Sequence, residues 1–259
     1  MHTIQQMKED LRTLGLRAGD TVMMHASFKA LGGIERDADG VFEALFDVLG
    51  EDGTLILPAF SYMSVTPDAP TFDRAHTPSC VGYLPEYFRT RVSGVVRSLH
   101  PTHSCCAKGK RADELVRDHE RDLTPVGPHS PIAKLPRMDG KILILGSHPN
   151  SNTALHGVEE LTEPPYLFDR KDVVDYRLND GDTVISQRAW RHCFEKDGLF
   201  YEQQYGRVID LLDADEYTCN TVLDATCYLL SAKAVWARAL EALKRDPLYF
   251  VNVRTVEGR

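Results

Sequence analysis

His156 and Glu159 are the two residues whose types and spacing best fit acid–base chemistry. They lie in SNTALHGVEE (151–160), directly after the apolar run KILILG (141–146). A spacing of three places both side chains on one helix face, and a carboxylate beside an imidazole raises its basicity and fixes its tautomer. A general base that deprotonates an ammonium group needs such a pair. The same spacing is more often that of a helix-start histidine beside a solvated glutamate, so both interpretations stay open here.

The segment RSLHPTHS (97–104) could hold a phosphate. It places Arg97, Ser98, His103 and Ser104 within eight residues. Arginine is the preferred partner of phosphate because its planar fork of donors matches the oxygen atoms. Taken alone, this composition is more typical of a polar loop.

A third segment, HASFKALGG (25–33), follows the first apolar run of the chain. Its small residues and glycines would let backbone N–H groups approach a ligand at a following helix start. It contains neither the GxGxxG nor the GxxxxGK[ST] pattern, so the nucleotide folds marked by those patterns are not indicated.

Two rival chemistries use other side chains. Five histidines could suggest a metal site, namely His25, His100, His103, His148 and His156. Their spacings match no HExxH or similar ligand pattern, so no metal is expected. Cys105 and Cys106 could act as nucleophiles, but adjacent cysteines in an apolar run are more often packed thiols. The six cysteines form no CxxC pair and are expected to be reduced.

Composition limits the function classes. The chain has 259 residues, 42% of them hydrophobic and 26% charged, which is ordinary globular composition. Its net charge of -8 gives no basic face, so no nucleic-acid partner is expected. An acidic surface would concentrate cationic small molecules, although solubility alone explains it equally well. No apolar stretch of roughly 18 residues and no apolar signal core occur, which predicts a cytoplasmic protein without a membrane partner.

Strands and helices alternate over the first two thirds of the chain. The predicted strands are 21–24, 54–57 and 141–145, and the predicted helices are 4–14, 41–49, 82–91 and 112–122. Thr3 is a possible cap of the first helix, and Asn152 or Thr153 of the helix that carries His156. This alternation predicts an α/β sheet with helices on its faces.

The last third is different in character. Segments 174–178 and 183–190 flank Asn-Asp-Gly-Asp and predict a hairpin. Residues 231–244 predict a C-terminal helix, and the Pro- and Thr-rich stretch 61–78 predicts a long functional loop. Without a linker or a repeat, one domain over 1–259 is the simplest organisation.

Six segments, in order along the chain, resemble the antibiotic N-acetyltransferase family, which contains the aminoglycoside 3-N-acetyltransferases. They are HASFKALGG (25–33), GTLILPAF (53–60), FDRAHTPSCVGYLPEYFR (72–89), RSLHPTHSCCAKG (97–109), SPIAKL (130–135) and ILILGSHPNSNTALHGVEE (142–160). No single piece is decisive, but six in order are specific. The resemblance therefore favours the functional interpretation of both His156 and Arg97.

The resemblance implies a single compact α/β domain, a mixed sheet flanked by helices, distinct from the GNAT acetyltransferases. It implies acetyl-CoA as the co-substrate and direct transfer to an amine. His156 aligns with the family's catalytic histidine and Glu159 with the acidic residue three positions later. The residues implied to bind the cofactor are His25, Ser27, Phe28, Lys29, Leu31, Arg97, Ser98, His103 and Ser104.

Three departures from the family pattern stand out. Lys29 replaces a small polar residue, and Cys105 and Cys106 replace apolar or small ones. Residues 187–205, which are expected to shape the acceptor pocket, match only loosely. The acceptor is therefore the least determined part of the prediction.

The expected reaction is direct acetyl transfer from acetyl-CoA to the 3-amino group of an aminoglycoside. Acidic residues in the cleft would hold the ammonium groups, His156 would remove a proton, and backbone amides near 25–31 would form an oxyanion hole. The expected partners are this amine and CoA, with a homodimer as a possible assembly. The alternatives are another amine metabolite, a CoA-binding protein without turnover, and a thiol hydrolase that uses Cys106.

Overall fold

A seven-stranded mixed sheet with helices on both faces dominates the fold. The computed structural model describes residues 1–169 and 172–256. Their α-helices are α1 (Ile4–Leu14), α2 (Asp37–Leu49), α3 (Tyr83–Arg91), α4 (Ala112–Val116), α5 (Pro131–Lys134), α6 (Leu155–Thr162) and α7 (Ala232–Arg245). Their strands are β1 (Thr21–Ala26), β2 (Thr54–Pro58), β3 (Thr71–Asp73), β4 (Val96–Arg97), β5 (Cys105–Gly109), β6 (Lys141–Leu145), β7 (Val173–Asp180), β8 (Thr183–Trp190), β9 (Glu195–Lys196), β10 (Leu199–Gln203), β11 (Tyr217–Val222), β12 (Ala225–Ser231) and β13 (Val251–Thr255).

The central sheet has the order β11-β12-β6-β1-β2-β5-β4. Strands β6, β1 and β2 are parallel, whereas β12 and β5 pair antiparallel with β6 and β2. Two further sheets have the orders β3-β7-β8 and β13-β10-β9. The mixed α/β fold predicted from the sequence is thus confirmed.

Strand β1 shows why its residues form a central strand. Val22 and Met24 pack into the core beneath α1 and α2, and Met23 packs into the core beneath α6 and α7. All three side chains are fully buried. Successive strand side chains point to opposite faces, so a strand that is covered on both faces needs a continuous apolar run.

The strand register brings the three candidate segments to one edge of the sheet. Ala26 pairs with Leu145 at the ends of β1 and β6. Because β5 is antiparallel, its first residue Cys105 lies opposite Pro58, the last residue of β2. The chain that follows β1 and β6 and the chain that precedes β5 therefore meet at the carboxyl edge of the parallel strands, where α/β sheets bind ligands.

The first and last predicted helices are confirmed, and so is the predicted cap of the first, Thr3. Thr3 Oγ1 accepts a 3.0 Å hydrogen bond from Gln6 N at the start of α1. Ser231 Oγ accepts a 3.3 Å bond from Ala234 N at the start of α7. Such bonds satisfy backbone donors that have no partner within the first turn.

The predicted helix at 112–122 is wrong in its length. Helix α4 ends at Val116, and Asp118 adopts a left-handed backbone with φ of 66°. Lys134 Nζ donates hydrogen bonds of 2.6 to 3.0 Å to three carbonyl groups at the end of α4. Lys134 thus stabilises the early end of α4. The sequence of the helix does not reveal this contact, because the lysine lies far away along the chain.

The predicted side-chain cap of α6 is also wrong. Neither Asn152 nor Thr153 caps the helix, because the chain enters it from a 3-10 helix (Pro149–Ser151). The carbonyl groups of residues 152–154 already accept the first backbone N–H groups of α6, including His156 N at 3.2 Å. Asn152 Oδ1 instead accepts a 3.3 Å hydrogen bond from Ala154 N, just before the helix begins.

The hairpin and the long loop are found where they were predicted. Strands β7 and β8 pair from Asp180–Thr183 outward, and Gly181 has a φ of 58° at the turn. The stretch 61–78 is a loop except for β3. This strand pairs with β7, and its residue Phe72 is fully buried. Across the described ranges, no helix combines the length and apolarity that a membrane span requires.

Candidate active site

A cleft of about 510 Å³ lies at the carboxyl edge of the parallel strands. Its wall combines aromatic side chains with titratable ones, the latter being Tyr62, His103, His156, Arg191, His192 and Tyr205. Among the residues that the structure describes, neither aspartate nor glutamate lines it. The expectation that acidic residues in this cleft hold ammonium groups is therefore wrong for its described wall.

His156 and Glu159 form the predicted pair. Helix α6 places them one turn apart, and His156 Nδ1 lies 3.1 Å from Glu159 Oε2. Glu159 is completely buried, whereas His156 reaches the cleft wall. Both oxygen atoms of a buried carboxylate need hydrogen-bond partners, and the histidine supplies only one of them.

Two tyrosines provide the remaining donors. The Tyr166 hydroxyl donates a 2.7 Å hydrogen bond to Glu159 Oε1, and the Tyr205 hydroxyl donates a 2.7 Å bond to Oε2. Burial, reinforced by the neighbouring carboxylate, raises the pKa of both phenols well above their usual range. Both hydroxyls therefore stay protonated and act as donors at neutral pH.

This network sets the chemistry of the imidazole. The Tyr205 oxygen lies 2.9 Å from His156 Nδ1, so Nδ1 faces two oxygen atoms. A proton on Nδ1 satisfies both contacts and leaves the lone pair on Nε2. No described residue hydrogen-bonds to Nε2, which leaves a basic nitrogen free at the cleft wall.

Two further histidines stand beside His156. The ring centre of His192 is 4.7 Å from that of His156, and the ring centre of His103 is 5.7 Å from it. His192 Nε2 lies 2.7 Å from Glu160 Oε1, and His103 Nδ1 lies 2.9 Å from Thr102 Oγ1. Burial lowers the pKa of His103 and His192 well below the usual value and keeps both rings neutral.

Comparison with known proteins decides the family. A family model described as aminoglycoside 3-N-acetyltransferase matches residues 23–244. The chain belongs to this family. It is 31% identical over 93% of its length to aminoglycoside N(3)-acetyltransferase IV of Salmonella sp, covering 87% of that protein. It is 36% identical over 76% of its length to aminoglycoside N(3)-acetyltransferase VII of Streptomyces paromomycinus, covering 73% of that protein.

Solved structures agree with this family. Aminoglycoside acetyltransferase AAC(3)-Xa superimposes with a TM-score of 0.79 at 26% identity, over 94% of this chain and 93% of its own. A histidine-to-alanine mutant of aminoglycoside acetyltransferase AAC(3)-IVa, in complex with a gentamicin, gives 0.79 at 27% identity, over 96% and 91%. The fold and the acyltransferase class inferred from the sequence are thereby confirmed.

In this acetyltransferase the end of β1 and the segment after it lie beside the cleft without reaching its wall. His25 is buried, and burial together with nearby His156 lowers its pKa to about 3. Phe28 packs against Tyr83 with ring centres 5.4 Å apart, and Leu31 is fully buried. Ser27 precedes the 3-10 helix Phe28–Leu31, on which Lys29 is exposed to solvent. Their contact with CoA stays a prediction.

Arg97 is an internal side chain of the acetyltransferase. Its guanidinium donates to the carbonyl groups of Ala59, Arg74 and Thr77 and to Ser104 Oγ, at 2.6 to 3.2 Å. Burial lowers its pKa to about 10. Each of its terminal nitrogens already donates to protein oxygens, so this geometry favours a role in fixing the 59–77 loop over an open phosphate ligand.

Ser98 and Ser104 are fully buried as well. Ser98 Oγ bonds to His119 Nδ1 and accepts from Cys105 N, both at 2.9 Å. Ser104 Oγ donates to Ala59 O at 2.9 Å. Of the four residues predicted in 97–104, only His103 reaches the cleft, and the other three support its loop from inside.

The adjacent cysteines are packed thiols. Cys105 and Cys106 are fully buried in β5 and do not line the cleft. Burial raises the pKa of Cys106 to about 12 and also raises that of Cys105. A thiol that stays protonated is a weak nucleophile, so this geometry favours transfer that bypasses them.

Three residues of the site were not predicted from the sequence, namely Tyr166, His192 and Tyr205. The last two lie within 187–205, which was expected to shape the acceptor pocket, but no single residue of it was selected. The two tyrosines carry a weak sequence signal, because a tyrosine in an apolar context is more often a packing residue. Tyr205 reaches Glu159 across 46 sequence positions, which only the tertiary fold determines.

Proposed function

We propose that this chain transfers the acetyl group of acetyl-CoA directly to the 3-amino group of an aminoglycoside, with His156 as the general base. One observation carries the proposal. Nε2 of His156 is free at the cleft wall, while Nδ1 is held by the buried carboxylate of Glu159. The names of two relatives, both aminoglycoside N(3)-acetyltransferases, support the acceptor class.

The proposed reaction begins with proton removal. An ammonium group has no lone pair, so the acceptor must lose a proton to Nε2 of His156 before it attacks the thioester carbonyl. The new N–C bond forms as the C–S bond breaks, and the sulfur of CoA leaves with the electron pair. The nitrogen then loses its second proton, which neutralises the departing thiolate. Glu159 stabilises the imidazolium that results, and Tyr166 and Tyr205 hold that carboxylate in place.

The donor side of the site is proposed to lie near the segment 25–31 and the loop 98–104. Backbone amides near 25–31 would polarise the thioester carbonyl. His103 is the residue of the predicted cofactor set on the cleft wall, so it is the best supported donor-side side chain. Arg97, Ser98 and Ser104 then act on the donor site through the loop that they hold.

A second candidate function keeps the chemistry and changes the acceptor. The described cleft wall has no carboxylate and includes Arg191, whose guanidinium donates to Tyr62 O and Val65 O. A polycationic drug gains most from a carboxylate-lined wall. An amine with fewer positive charges fits these residues as well. An example is an amino sugar that has no charged group besides its amine, a class that we call neutral amino sugars.

Free-thiol release from acetyl-CoA, measured over a panel of amines, tests both candidates. The panel contains 2-deoxystreptamine aminoglycosides, neutral amino sugars and amines that carry an anionic group. Thiol release with aminoglycosides, and mass spectrometric mapping of the product to the 3-amino group, would support the first candidate. Release with neutral amino sugars alone would establish the second, and CoA binding without release for any amine would contradict both.

A further inference from the structure

Three imidazole rings converge at the cleft from separate parts of the fold. His103 precedes β5, His156 lies on α6, and His192 follows β8. One ring nitrogen of each lies within 4.8 Å of the other two. Their ring centres are 4.7, 5.0 and 5.7 Å apart. Three imidazoles on one zinc ion, with Zn–N bonds of about 2.0–2.1 Å, place ring centres about 5 Å apart.

Each ring has its other nitrogen engaged by an oxygen atom. His156 Nδ1 lies 3.1 Å from Glu159 Oε2, and His192 Nε2 lies 2.7 Å from Glu160 Oε1. His103 Nδ1 lies 2.9 Å from a hydroxyl oxygen, that of Thr102. Histidine ligands of metals are oriented in this way, with the remote N–H donated to a carboxylate or another oxygen.

The remaining nitrogens are available as ligands. His192 Nδ1 is buried and has no hydrogen-bond partner among the described residues. An unpaired buried acceptor is costly, and a cation would satisfy it.

We propose that His103, His156 and His192 bind one borderline divalent cation, represented by Zn²⁺, and that the bound ion inhibits acetyl transfer. Three neutral imidazoles without a thiolate or a carboxylate in the ligand set suit Zn²⁺, Co²⁺, Ni²⁺ or Cu²⁺ better than Mg²⁺ or Ca²⁺. The fourth coordination position faces the cleft, whose volume of about 510 Å³ leaves room for water. The inhibition rests on the proposed function, because it arises from the loss of the His156 lone pair.

The binding test needs no turnover. Protein that has been freed of metal by a chelator is titrated with Zn²⁺ in a calorimeter and with Co²⁺ in an absorption spectrometer. We expect one site in the wild type, a tetrahedral Co²⁺ spectrum without a thiolate charge-transfer band, and at least about a ten-fold affinity loss in His192→Gln. A glutamine at this position can still donate to Glu160 but offers no imidazole.

Control variants make the binding result decisive. His76→Gln changes an exposed histidine outside the cluster and should bind like the wild type. His103→Gln provides a second ligand variant if His192→Gln does not fold. No stoichiometric binding in the wild type, a thiolate band, or unchanged affinity in the folded ligand variants would overturn the site.

Steady-state assays then test the inhibition separately. Zn²⁺ should inhibit competitively with the amine in the wild type and in His76→Gln. The inhibition constant should equal the dissociation constant of Zn²⁺ from calorimetry. Stoichiometric binding that leaves turnover unchanged would overturn the coordination of His156 Nε2. If the chain acetylated no amine at all, the proposed function would fail, while calorimetry would still decide the metal site.

Discussion

The hydroxyl of Tyr205 donates a 2.7 Å hydrogen bond to Oε2 of the buried Glu159. The Tyr205 oxygen also lies 2.9 Å from His156 Nδ1. Tyr205 thus joins the C-terminal third of the chain to the acid–base pair on α6. Tyr166 donates to the other carboxylate oxygen, Oε1, and so contacts the pair through Glu159.

These two tyrosines offer a matched pair of variants. Tyr205→Phe and Tyr166→Phe each remove one hydroxyl from a buried carboxylate, so each should lower the free energy of unfolding by about 1–3 kcal/mol. Tyr205→Phe should also lower kcat more, because its hydroxyl contacts the imidazole as well as the carboxylate. Urea unfolding and steady-state kinetics would check this. Equal kcat values in the two folded variants would contradict a positioning role for Tyr205.

Glu159→Gln should lower kcat while it leaves the KM for acetyl-CoA nearly unchanged. Glu159 orients the imidazole and stabilises its cation, so its loss should cost less than the loss of the base itself. Initial rates with acetyl-CoA varied at saturating amine would separate the two constants. A kcat equal to that of the wild type in a stably folded variant would remove Glu159 from the mechanism.

Arg97→Ala should chiefly affect stability. The guanidinium donates to three carbonyl groups and a hydroxyl in the buried interior, so its removal should cost at least about 1.5–3 kcal/mol in urea unfolding. Arg91→Ala, at an exposed position, should stay within about 0.5 kcal/mol of the wild type. The contrary result would be a stable Arg97→Ala protein whose KM for acetyl-CoA is about ten- to a hundred-fold higher. It would show that this arginine contacts the cofactor.

The double variant Cys105→Ala/Cys106→Ala should retain kcat. Both thiols are buried and their pKa values are raised, so neither is an available nucleophile. Double-reciprocal plots with both substrates varied should intersect in the wild type and the variant, as a ternary complex requires. Parallel lines in the wild type and lost activity in the folded variant would reveal a ping-pong route through an acetyl-cysteine.

The central strands and the acid–base pair could be predicted from the sequence because their signals are local. Strand β6 is buried on both faces and so is continuously apolar, and the spacing of His156 and Glu159 alone places them on one helix face. Strands of two or three residues, such as β4 and β9, carry no periodicity from which they could be predicted.

The rest of the site depends on contacts between distant segments. His192 joins His156 only because the chain after β8 returns to α6. The orientation of Arg97 is set by carbonyl groups from residues 59, 74 and 77. An arginine in a polar segment has the same sequence signature whether it binds a phosphate or its own backbone, so its role required the tertiary structure.

The kcat of His156→Ala, measured with acetyl-CoA and an accepted amine, shows whether His156 is the general base. The free Nε2 at the cleft wall predicts a fall in kcat of about 10²–10⁴, with CoA binding by calorimetry nearly unchanged. His148→Ala, which alters an exposed histidine outside the described cleft wall, is the matched control and should keep most of the activity. Near-wild-type turnover in a folded His156→Ala protein would show that another group removes the proton.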